Sequence, residues 1–139
     1  MAMTDATVVT AEPTLKTKLG PVKFLGGTVT MVMGSADGDI NQATITLDIG
    51  GRHVTEKSDG NGPIDASLRA IDKIVDHGGT LTELRIKSVG PGTSAPGRVG
   101  VDMKTQHGSF AQDNTNTNTV RAAIEAYIGA INKIRLNGG

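Results

Sequence analysis

Gly60-Asn61-Gly62-Pro63-Ile64-Asp65-Ala66 is a turn that runs directly into an amphipathic helix. Pro63 has a fixed φ and no N–H, which suits the first helical position, and the two glycines let the chain turn tightly before it. A helix beginning this way presents unpaired N–H groups and a positive dipole end, which favour a small anion such as a metabolite carboxylate. Taken alone, an ordinary capped turn has the same composition. Beyond Pro63, Ile64, Leu68, Ile71, Ile74 and Val75 recur at helical spacing, opposite Arg69, Asp72, Lys73 and Asp76. His77 in the last turn and Gly78-Gly79 beyond it predict the stop.

Upstream, the period changes from 3.6 to 2. Thr28-Val29-Thr30-Met31-Val32-Met33 is rich in β-branched residues and meets a turn composition at Gly34-Ser35-Ala36-Asp37-Gly38. Ala43 to Ile49 alternates, with Ile45, Leu47 and Ile49 on one face, and Gly50-Gly51 makes a tight hairpin into Arg52-His53-Val54-Thr55-Glu56. Three antiparallel strands with a helix laid on one face follow.

Downstream, the same order recurs. Leu81 to Val89, Arg98 to Lys104 and His107 to Gln112 read as strands, Pro91 to Gly97 as a loop, and a helix begins near Thr119. Sliding the sequence by 56 residues sets Ile45 on Val101, Leu47 on Met103, Val54 on Phe110, Leu68 on Ile124 and Val75 on Ile131. Apolar meets apolar in strands and helix alike, so the chain reads as a duplicated βββα unit of the α+β class. The copies span about residues 27–78 and 80–136 of a single domain, 20–139, and residues 1–19, which show neither period, read as a flexible leader.

The second helix carries Val120, Ile124, Tyr127, Ile131 and Ile134 in one stripe, widened by Ala122, Ala123, Ala126, Ile128 and Ala130. So broad an apolar face predicts a two-fold homodimer in which this helix helps to bury its twin. The same shift places Gly60-Asn61-Gly62 on Asn116-Thr117-Asn118, within a run of capping side chains from Asp113 to Thr119. Its ordinary reading is a polar helix cap. Two helix starts related by pseudo-symmetry, however, would offer N–H donors to a carboxylate and carbonyls to an ammonium, which describes an amino-acid site.

Composition removes other classes. Fourteen basic and fourteen acidic residues cancel over 139 positions, and with no Trp, one Tyr and two Phe there is neither the field nor the stacking surface for nucleic acid. No apolar run is long enough to span a membrane and no signal peptide is recognisable, so no membrane partner is expected. The absence of cysteine rules out a thiolate metal site and fits a cytoplasmic chain. His53, His77 and His107 are too scattered for a metal triad, and no second carboxylate is spaced to work with Asp65. Gly50-Gly51 and Gly26-Gly27 lack phosphate-loop spacing. No catalytic constellation, cofactor or metal is expected.

Three segments resemble a known family, the C-terminal regulatory domain of α-isopropylmalate synthase, shared with citramalate synthase and related acyl-condensing enzymes. They are Gly60 to Ala66; Leu81 to Ser88 with Gly92-Thr93-Ser94-Ala95; and Asn118 to Ala123 with Ala130-Ile131-Asn132-Lys133. The resemblance covers roughly Ala43 to Arg135. It implies a dimeric leucine-sensing domain without catalytic activity of its own, serving a catalytic domain in cis or in trans by feedback inhibition. It also implies ligand contacts at Gly60, Asn61, Gly62, Asp65, Leu81, Leu84, Ser88 and Ala95, and in a loop made of Asn114, Thr115, Asn116, Thr117 and Asn118. Leu84 stands where the family often has Tyr, and Gln112 and Asn114 where it has glycines. Isoleucine, as in citramalate synthase, and a ligand-free dimerisation module therefore stay open beside leucine.

Overall fold

Strand, strand, strand, helix, twice over, is the order of elements in the computed structural model, which describes residues 21–136 apart from Asp37 and Ser94. The leader assigned to residues 1–19 lies outside the described residues. The first copy comprises β1 (Val22–Ser35), β2 (Gly38–Ile49), β3 (Arg52–Gly60) and α1 (Pro63–Ile74); the second comprises β4 (Thr80–Ser88), β5 (Gly97–Thr105), β6 (Gly108–Asn116) and α2 (Thr119–Leu136). Each trio forms an antiparallel sheet with its middle strand in the centre, so the α+β duplication read from the sequence is the fold.

The central strands anchor the core. In β2, Asn41, Ala43, Ile45, Leu47 and Ile49 are buried while the residues between them are not, as a period of two requires when one face is covered. Val99, Val101 and Met103 do the same in β5. Gly50 and Gly51, with φ of 61° and 91°, make the two-residue β2–β3 turn that needs positive φ at both positions. The first strand of each sheet carries an irregularity near its start, between Phe24 and Gly26 in β1 and between Leu81 and Glu83 in β4. At Gly27 a Cβ would overlap the Thr44 carbonyl, so β1 lies against β2 there as only glycine allows.

Several boundaries differ from the sequence reading. β1 continues through Gly34 and Ser35, because positive φ at Gly34 and Gly38 compresses the turn and Asp39 Oδ1 accepts the Gly34 N–H at 3.2 Å. β3 runs on to Gly60, and Asn114, Thr115 and Asn116 pair with Val99, Arg98 and Gly97, so three of the five residues of the expected ligand loop are strand. α1 stops at Ile74, short of Gly78-Gly79. Val75 is extended and buried, and His77 turns back to place Nε2 2.8 Å from Asp72 Oδ1.

α2 corrects the expected dimer face. Its broad stripe, from Ala122 to Ile134, is already buried within the chain: it packs on β5 and β6 and touches α1 and β1. Alanines at 122, 123, 126 and 130 let these neighbours approach from more than one side. Asn132 fixes the cross-copy contact, its Oδ1 accepting the Val22 N–H at 2.8 Å and its Nδ2 donating to the Val22 carbonyl at 2.9 Å. One apolar cluster therefore draws on both copies.

Candidate functional site at the helix starts

At the start of α1 the two glycines do different work. A Cβ at Gly60 would overlap the backbone of Ala66, so β3 must end in glycine to meet the first helical turn. Gly62 is extended, with φ −171°, and a Cβ there would meet nothing within 4 Å, so neither backbone nor packing demands glycine. Gly62 is the N-cap, brings no side-chain cap, and is followed by Pro63. Asp65 Oδ2 accepts the Asn61 N–H at 2.8 Å and pairs with Arg69 Nε at 2.9 Å, so it braces the turn and complements the dipole.

The start of α2 is built differently. Asn118 Oδ1 accepts the Arg121 N–H at 3.1 Å and Asn116 Oδ1 accepts the Asn118 N–H at 2.8 Å, so its asparagines cap the helix they introduce. Sheet register adds Ser88, which pairs with Gly97, which in turn pairs with Asn116. Thr119 sits over Gly97, where a Cβ would lie 2.5 Å from its Oγ1. Ser88 and Asn114, Thr115, Asn116, Thr117 and Asn118 thus gather at one end of the second copy, with Ala95 in the loop leading to β5.

Both starts lie at the same end of the molecule. Asp72 of α1 meets Tyr127 of α2, and past the end of α1 a Cβ on Gly79 would lie 2.8 Å from Ile134 Cδ1, so the contacts ascend together along both segments. Leu81 is not part of this grouping: it is the second residue of β4, seven residues and about 23 Å of strand from Ser88. It and Leu84 are half-buried against the core.

A cavity of about 370 Å³ opens beside the α2 start, a volume suited to a small metabolite. Its walls are Phe24, Gly26, Gly27 and Val29 of β1, Ile45 of β2, and Asn118, Val120, Arg121 and Ile124. The Arg121 guanidinium lies 5.4 Å from the Phe24 ring centroid and Nε is 3.7 Å from Glu125 Oε2, which puts a cation on a rim that is apolar apart from Asn118. Of these residues only Asn118 was expected from the sequence. The available signal was Gly26-Gly27 inside a β-branched strand, which marks close approach of another backbone or a ligand.

Asn41 was also missed. It pairs directly with Gly60, sits on the buried face of β2 at 5% exposure, and its Oδ1 has no hydrogen-bond partner among the described residues. Such an acceptor is costly to leave unpaired.

The buried polar network lies at the opposite end. Gly79 N–H donates to His77 Nδ1 at 3.0 Å, so Nε2 carries the proton and donates to Asp72, which also accepts the Tyr127 hydroxyl at 2.6 Å. Burial, then Asp72, pushes the Tyr127 phenol well above its usual range, so it stays protonated and ties α2 to the end of α1. No group of three or more His, Asp or Glu side chains that could hold a metal occurs among the described residues.

Residues 3–135 match the family model described as the LeuA allosteric (dimerisation) domain. The chain is 38% identical over 106 residues to the 2-isopropylmalate synthase of Hydrogenovibrio crunogenus, an alignment covering 76% of this chain and 21% of that protein. It is 37% identical over 93 residues to the 2-isopropylmalate synthase of Methylorubrum populi, covering 67% of this chain and 18% of that one. For the 2-isopropylmalate synthase of Salinibacter ruber the figures are 39% over 79 residues, 57% and 14%. The chain spans about a fifth or less of the length of these curated relatives.

Proposed function

Because this chain belongs to the LeuA allosteric (dimerisation) domain family, we propose that it is the leucine-sensing regulatory unit of a 2-isopropylmalate synthase, acting by feedback inhibition in the cytoplasm. The observation that carries the reading is the shared end of the two helix starts, with an uncapped α1, a buried free acceptor on Asn41 and an apolar cavity beside α2. N–H groups at 64 and 65 suit a carboxylate, Asn41 Oδ1 suits an ammonium, and Phe24, Val29 and Ile124 suit a branched aliphatic side chain. In this reading Gly60, Asn61, Gly62 and Asp65 would serve one side of the site and Ser88, Ala95 and Asn114 to Asn118 the other, while Leu84, half-buried against the core, would shape it through packing. Leu81 would serve only through its packing.

A ligand held there regulates by favouring one packing of the domain over another, a coupling of about 1–3 kcal/mol in typical allosteric systems. The catalysis belongs to a separate domain, in cis or in trans, and this unit turns over no substrate itself. A ligand-free dimerisation module is the second reading, favoured by the self-capping of Asn116 and Asn118.

Calorimetric titration with leucine, isoleucine and valine separates the two. Saturable heat with leucine, weakened at least tenfold by Gly62→Val, supports sensing. Gly62 tolerates a side chain in the folded chain, so loss of binding there reads on the ligand. No heat and no melting shift at millimolar ligand would leave the scaffold reading.

A further inference from the structure

Register lays out the outer face of the second sheet. Gly100 of β5 lies between Arg85 of β4 and Asp113 of β6, and one row further Lys87 lies across from Arg98. Glu83 and Asp102 pair in the row before. Val99 and Val101 fill the core side of β5, so the side chains of these rows project outward. Where Gly100 brings no side chain the face is dished, and a cavity of about 240 Å³ is walled by Arg85, Lys87, Arg98, Gly100 and Asp113. A Cβ on Gly100 would lie 2.8 Å from Arg85 Nη2 and 2.8 Å from Asp113 Oδ1, so both side chains lean over the glycine.

Charge is spread unevenly over this face. Glu83 and Asp102 both hold Arg85, at 3.2 and 2.8 Å, and gather the negative charge at one end. At the other end Asp113 reaches Arg98 through a single contact of 2.9 Å, which occupies one of the guanidinium N–H donors, and Lys87 meets no carboxylate among the described residues. The first copy shows that the fold does not require these charges. Its β2 has Gln42 and Thr44 where β5 has Arg98 and Gly100, and its β1 has Thr30 and Thr28 across from them where β4 has Lys87 and Arg85.

We infer that the corner made by Lys87, Arg98 and Gly100 is a binding site for a phosphate group, carried as the free dianion or as a small phosphate ester. Lys87 and the unoccupied side of the Arg98 guanidinium supply the cationic donors, and the missing side chain of Gly100 lets the phosphate oxygens approach the sheet. Asp113 is the competitor that holds Arg98 until the ligand arrives. No aromatic or aliphatic side chain lines the dish, which favours a compact anion over the apolar body of a branched amino acid. This site and the sensing site proposed above share no residue, so each stands or falls separately.

Backbone-amide NMR of the full chain titrated with inorganic phosphate tests the site, at about pH 8, where phosphate groups carry two charges, and with ionic strength held constant by sodium chloride. Saturable shifts at Lys87, Arg98 and Gly100 are expected at millimolar phosphate. Arg98→Gln and Lys87→Gln should each weaken binding about three- to fivefold, the scale of one exposed ion pair, and Asp113→Asn should tighten it by about as much because it frees Arg98. A gain in Asp113→Asn cannot come from misfolding, so the test holds even if a glutamine variant is destabilised. Lys104→Gln, six residues and about 20 Å along β5 from Arg98, should alter binding by less than about twofold. Glycerol phosphate as a second titrant identifies the source: tighter binding than inorganic phosphate marks an ester, and equal or weaker binding marks the free anion. Absence of saturable shifts, no gain in Asp113→Asn, equal losses in Arg98→Gln and Lys104→Gln, or malonate bound as tightly as phosphate would each overturn the proposal.

Discussion

Gly60 and Gly62 have the same residue type two positions apart and opposite reasons for it. Gly60→Ala forces a methyl into the Ala66 backbone and is expected to destabilise the fold by about 1–3 kcal/mol, readable as a lower urea midpoint. A side chain at Gly62 meets nothing, so a variant there should leave that midpoint within about 0.5 kcal/mol of wild type. Asp102 gives a titratable counterpart on the second sheet. Its carboxylate accepts the Arg85 guanidinium at 2.8 Å, and that hydrogen bond, with the charge of Arg85, holds its pKa below the usual carboxylate range. A depressed folded pKa adds stability above the ordinary carboxylate pKa of about 4 that is lost as pH falls through the lower folded value. Wild type should therefore melt higher than Asp102→Asn at pH 7, and the two melting curves should converge as pH falls through the lower folded value.

Elements were the most legible scale. The switch between periods of 2 and 3.6 located all eight elements of the described residues, and the burial of Ile45, Leu47, Ile49, Ile71 and Ile74 is what that patterning dictates. Ends were less legible, because they are decided by partners remote in sequence: α1 stops at Ile74 since Val75 is drawn into the core and His77 into Asp72 and Tyr127. Caps were legible as chemistry but not as consequence. Asn118 proves to serve its own helix, and Asn118→Ala should cost about 1 kcal/mol of stability by loss of the Arg121 N–H bond. The cavity wall from Phe24 to Val29 was marked only by Gly26-Gly27, which signals a close approach without telling that α2 arrives from more than ninety residues away, and nothing local in β2 marks the buried Asn41.

At the scale of the molecule, the duplication puts two helix starts at one end and the His77–Asp72–Tyr127 network at the other. The apolar breadth of α2 belonged to packing between copies of the motif, because sequence patterning tells that a face is covered and not what covers it. Ile131 lies at 0% exposure in this joint core, and Ile131→Ala should cost about 2–5 kcal/mol, enough to loosen both copies together in a single cooperative transition. The central claim is that an amino acid sits between the two starts, and a leucine titration followed by backbone-amide NMR addresses it most directly. The account predicts that the largest shift changes fall on Asn61, Ile64, Asp65 and Arg121, with little change at Gly79 and Leu81. Shifts concentrated at Gly79 and Leu81, or none at saturating leucine, would contradict it.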